Sequence, residues 1–270
     1  MTGLRTSKLS FAERLGRQRA KDRGLGNRQK AFGNAGEAFV KGFLQYVLDP
    51  GSEHGYGSTG RNSLNPAHVY LAALLEAQQL GRVWKTRAFC RTIFTTNFDT
   101  MLQNALQMVN LLYRATDRPE NGLDRSDFHI EEGPIHLVYT HGSILRHNPA
   151  STTDELGALE QKNADALHSC LESRDVITIG YSGWRDGLME ALRRCSSSRH
   201  ALYWCDVRSR PDEHVAVFLK ENADRAAYVH LGPQGADGLM RALYEALIPQ
   251  EHRRDPLQRY RDWCDFIWGR

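Results

Sequence analysis

The chain has 270 residues, 41% of them apolar and 25% charged, with 35 basic side chains against 32 acidic ones. That apolar share excludes global disorder, and 23 Gly and 9 Pro exclude collagen-like or low-complexity chains. A net charge of +3 gives no ground for a nucleic-acid binder, and no apolar run approaches the roughly 18 residues of a membrane span.

The chain opens on a basic block. Residues 1–30 carry nine Lys or Arg against Glu13 and Asp22, a local +7 that leaves −4 for the other 240 residues. The block has no apolar h-region, so it is not a secretory signal. It reads as a solvated, partly helical segment. Residues 32–48 place Phe32, Ala35, Phe39, Phe43, Tyr46 and Val47 near helical spacing. Residues 49–65 are dense in Gly, Ser, Asn and Pro and read as a flexible loop. Inside it, GYGSTG at 55–60 matches G-x-G-x-x-G, but no strand precedes it and no helix opens after it. The dinucleotide fingerprint needs both.

Asn65 and Pro66 then predict a helix start, a cap followed by Pro in the first turn, over PAHVYLAALLEAQQL. Beyond Gly81 short β-rich runs alternate with amphipathic segments. The runs are 92–96, 135–140, 175–180, 201–206 and 226–231. The helical patterns are 99–111, 154–171, 185–194, 211–219 and 235–247, with a last one at 255–268. Strand–helix alternation with continuous apolar strands predicts a doubly wound α/β fold, a mainly parallel sheet flanked by helices. The expected organisation is a basic helical segment and flexible loop at 1–65, a sheet domain at 66–250 and a C-terminal helix at 251–270. Cys90, Cys170, Cys195, Cys205 and Cys264 are scattered and contain no CxxC pair. That argues against a zinc ribbon or a disulfide framework and for the reducing cytoplasm.

In open α/β sheets, ligands bind beyond the carboxyl ends of the strands. There the sequence collects small and polar residues: Thr96, Asn97 and Asp99 after the first run; His141 and Gly142 after the second; Gly180, Ser182 and Asp186 after the third; Asp206 at the end of the fourth. Asp99, Ser182 and Asp186 also suit helix capping.

TTNFD at 95–99 followed by MLQNAL, THG at 140–142, and GYS at 180–182 before WRDGLMEAL together resemble the sirtuin-like family. The branch most similar is the bacterial NAD-consuming one of antiphage defence, a likeness that also takes in 66–80. The resemblance spans roughly 64–248 and implies a Rossmann-like NAD site with NAD as substrate. Carried over, Asn97 positions a water near the nicotinamide ribose, and His141 is the general base or holds the ribose hydroxyls. Thr96, Asp99, Gly142, Gly180, Ser182 and Asp206 are expected along the bound NAD.

These residue types suit cleavage of the nicotinamide N-glycosidic bond. That reaction passes through an oxocarbenium-like centre and expels a leaving group that is already cationic. A neutral amide can orient the water, and an imidazole can take its proton near neutral pH.

Two departures from the family stand out. The usual first strand with its Gly-Ala-Gly-x-Ser loop is not recognisable; the expectation is that it lies upstream of Met1, the alternative that it is lost. Residues 143–175 hold only Cys170, so the four-cysteine zinc module of many deacylases is not expected, nor is zinc. The expected activity is hydrolysis of NAD to nicotinamide and ADP-ribose, switched by a protein partner or by homo-oligomerisation. The alternatives are a catalytically weak scaffold or regulatory module, and an NAD-dependent protein deacylase. Membrane association and specific DNA recognition are not expected.

Overall fold

The computed structural model describes residues 64–83, 89–97, 99–117, 133–141, 164–183, 186–195 and 199–268. The basic block, the helical pattern at 32–48, the GYGSTG loop and Gly142 lie outside the described residues.

Helix α1 runs over Pro66–Gln79. Asn65 caps it as its sequence suggests, its side chain accepting from the His68 amide, with Pro66 in the first turn. Strand β1 (Thr92–Thr95), helix α2 (Met101–Met108), strand β2 (Tyr113–Thr116) and strand β3 (Ile135–Tyr139) form the first half. A helix over residues 164–171, α3, leads into the second half. That half holds strand β4 (Val176–Ile179), helix α4 (Gly187–Arg194), strand β5 (Leu202–Asp206), helix α5 (Glu213–Glu221), strand β6 (Ala226–His230) and helix α6 (Gly235–Leu247). Helix α7 spans Pro256–Trp268. The five expected runs are all strands, each trimmed by one or two residues at its ends; β2 was not foreseen.

The strands make two three-stranded sheets, ordered β1-β3-β2 and β4-β5-β6, and every pairing is parallel. The register sets Thr95 beside Tyr139 and Ile179 beside Cys205. β3, central in its sheet, is buried at every position, which is why IHLVY reads as a continuous apolar run. All carboxyl ends within a sheet therefore share one edge.

Three apolar clusters hold the layers. One packs Val69, Ala72 and Leu75 of α1 against Ala105 and Leu106 of α2 and Ile135 of β3, with Leu257, Tyr260 and Trp263 of α7 against it. A second gathers Leu167, Met189, Leu192, Val215 and Phe218 from α3, α4 and α5 around Leu202 and Trp204 of β5. Phe94 of β1 packs on this second cluster, so it joins the two sheets. In the third, Ala73, Leu74 and Ala77 of α1 meet Tyr244 of α6 and Ile248. Buried on two sides at once, α1 needs a broad apolar stripe, and its six buried residues lie between 69 and 77.

Candidate active site

The site is built from three strand ends. After β1 the backbone turns at once: the Asn97 amide donates to Thr95 Oγ1 at 3.1 Å. After β3, Thr140 donates to the Thr95 carbonyl through both its amide (3.0 Å) and its hydroxyl (3.1 Å). The Tyr139 hydroxyl donates to the Asp99 carbonyl at 3.0 Å. These bonds tie Thr95 and Asp99 to the end of β3, so Asn97 and His141 emerge from adjacent, mutually braced strands. Burial pushes the Tyr139 phenol far up, aided by the Asp99 charge, so it stays a donor.

Asn97 is exposed, and its side chain has no hydrogen-bond partner among the described residues. Its amide is available to a ligand. Asp99 stands one residue before Thr100, the N-cap of α2, and its Oδ1 accepts from the Met101 amide at 3.0 Å.

The third strand end carries Gly180, Tyr181, Ser182 and Gly183 into α4. Gly180 (φ +65°) and Gly183 (φ +69°) both adopt the left-handed conformation that glycine tolerates best. A Cβ on Gly180 would meet none of the described residues within 4 Å, which leaves space for a ligand over that turn. A Cβ on Gly183 would strike Val215 at 2.7 Å and the Trp204 ring at 3.1 Å, so this glycine lets the turn press onto β5 and α5. His214 Nε2 lies 3.0 Å from the Ser182 carbonyl, which accepts. Ser182 does not cap the helix; Asp186 does, accepting from the Met189 amide at 2.9 Å.

Asp186 does more than cap. Its Oδ1 also accepts from the Tyr181 hydroxyl at 2.5 Å. Its Oδ2 is buried with no hydrogen bond and lies 3.5 Å from His141 Nε2. The Asp186 side chain is 5% exposed and that of His141 21%. This pair ties the carboxyl end of β3 to the start of α4 beyond β4, at the strand ends where α/β sheets hold ligands. Burial and the Asp186 charge push the Tyr181 phenol far above its ordinary value, so it too remains a donor.

Asp206 is placed differently. Arg208 holds its carboxylate through Nε (2.9 Å) and Nη2 (2.5 Å), the Arg208 amide adds a bond at 3.1 Å, and Arg208 also pairs with Asp212. Burial alone would raise this carboxyl, but the Arg208 bonds outweigh it and hold it below its ordinary range. Asp206 is an occupied acceptor. Burial pushes the neighbouring Cys205 thiol up, which works against a thiolate at that strand end. Among the described residues no group of three or more His, Cys, Asp or Glu could hold a metal ion.

His68, on the first turn of α1, carries no signal in the sequence. Its Nδ1 is buried without a partner, and burial pushes its pKa down against the opposing charges of Asp99 and Asp237.

A comparison with curated proteins finds no match. Residues 91–228, just over half of the chain, match the SIR2-like domain family. The matched stretch runs from the residue before β1 into β6 and includes Asn97, His141, Gly180 and Asp186. The parallel sheets, the flanking helices and this match agree, and the chain belongs to the SIR2-like domain family.

Proposed function

We propose that this site hydrolyses NAD to nicotinamide and ADP-ribose. The observation that carries the reading is the convergence of an exposed Asn97, its side chain without a partner among the described residues, and a partly exposed His141 on braced neighbouring strand ends of a SIR2-like domain. Open space over Gly180 supports it.

The ribose C1′–N bond breaks, and its electron pair neutralises the pyridinium, so nicotinamide leaves without needing an acid. Positive charge builds at C1′ as in glycoside hydrolysis. The Asn97 amide holds a water on the face opposite the leaving group. As the water oxygen bonds to C1′, His141 takes its proton and later returns it to solvent. Asp99 Oδ1 braces the start of α2 through the Met101 amide.

We place this activity in defence against phage, with turnover switched by a protein partner or by self-assembly. The likeness of 66–80 and TTNFD to that branch supports this. Five free cysteines and a substrate made in the cytoplasm favour a cytoplasmic location. Among the described residues no helix is long and apolar enough to cross a membrane.

The test is calorimetry with NAD together with product analysis, on wild type and His141→Ala, over a range of protein concentrations. Wild type should bind NAD and release nicotinamide and ADP-ribose in equal amounts. His141→Ala should still bind but turn over at least about 100-fold more slowly. Binding without turnover by wild type would favour the scaffold alternative; no binding would reject an NAD site.

A further inference from the structure

We infer that Asp186 is a positioning residue: its buried carboxylate selects the His141 tautomer that carries its proton on Nε2. The inference rests on the reading of His141 as proton acceptor, and it adds a residue from the opposite sheet to that site.

A buried carboxylate oxygen with no hydrogen bond is costly, and burial is sustained where a positive or donating group faces it. Asp186 Oδ2 is such an atom, and the group 3.5 Å away is His141 Nε2. Capping does not explain it, because Oδ1 alone accepts from the Met189 amide. Nor does Asp186 swing freely. The Tyr181 hydroxyl and the Met189 amide both hold Oδ1, and the turn behind is pressed onto Val215 and Trp204 through Gly183. A carboxylate fixed in this way accepts from Nε2–H and leaves Nδ1 as the basic nitrogen. The 3.5 Å separation is longer than a formed hydrogen bond, as is common in a ligand-free site, and it tightens as imidazolium forms.

Asp186→Asn separates the two roles. Asn caps a helix as well as Asp does, so α4 keeps its start, but the charge facing His141 is gone. The experiment uses the full chain and reads the His141 ring by long-range proton–nitrogen NMR, alongside steady-state nicotinamide release. In wild type His141 should appear as one tautomer, protonated at Nε2. In Asp186→Asn the two tautomers should mix, kcat should fall at least tenfold and the KM for NAD should change less than about twofold. The Asp186→Ser variant, a second capping residue without charge, should behave the same way.

An unchanged His141 spectrum in either folded variant overturns the inference, whatever the activity does. So does a tautomer mixture in wild type, a reading that needs no variant. If wild type releases no nicotinamide, the hydrolysis reading fails by itself, and the tautomer comparison still decides the role of Asp186.

Discussion

Two glycines in one turn separate strain from space. Gly183→Ala combines a left-handed φ with a Cβ 2.7 Å from Val215, so it should cost about 2–5 kcal/mol. Gly180→Ala carries the same φ into open space and should cost only about 1–2 kcal/mol. Urea titration of both variants checks the ranking, and equal midpoints would contradict it. Asp206 gives a pH signature. Its carboxyl sits below its ordinary range when folded, so its contribution to stability is present above the unfolded value of about 3.9 and lost as pH falls through the folded value. Asp206→Asn should therefore flatten the fall in melting temperature below about pH 4. At this scale the sequence was partly legible. Polar residues after the strand runs point to Asn97 and His141, and the structure places both at the ends of paired strands. The Asp186 pairing was not legible, because it joins residues 45 positions apart on different sheets, and no periodicity encodes that. Capping alone explained Asp186 and hid its second oxygen.

Most elements were readable from period and punctuation. IHLVY is buried throughout and could hardly be anything but a central strand, and Asn65-Pro66 starts α1 where the cap rules place it. β2 escaped because it is a four-residue edge strand, YRAT, with exposed Arg114 in its middle. Short edges with a charge show neither alternation nor an apolar run. Helix α2 is shorter than its pattern because it starts after Thr100, where Asp99 Oδ1 takes the Met101 amide, and the chain leaves the helix at Val109. Helix α7 is bound to the body rather than trailing from it. The Tyr260 hydroxyl accepts from the Leu64 amide at 3.0 Å, and Arg259 pairs with Glu76 of α1. Tyr260→Phe should cost about 1 kcal/mol, seen as a drop of about 2–4 °C in melting temperature. No change would mean that α7 is held by its apolar contacts alone.

Across the molecule, two parallel sheets each collect their strand carboxyl ends on one edge. They are joined through Phe94 on the second cluster and through His141 facing Asp186. Strand–helix alternation was enough to foresee a doubly wound fold. It could not foresee that β1 and β4 stand as terminal strands of separate sheets among the described residues. Pairing between halves is set by tertiary contact, not by local pattern. In the proposed hydrolysis of NAD, Asn97 holds the attacking water. Asn97 is exposed, so Asn97→Ala should leave stability within about 0.5 kcal/mol. The most direct measurement is the rate of nicotinamide release from NAD by wild type and Asn97→Ala at matched concentration. Asn97→Ala should lose at least about 100-fold in rate with an unchanged melting temperature; equal rates in the two proteins would contradict a role for Asn97 in the reaction.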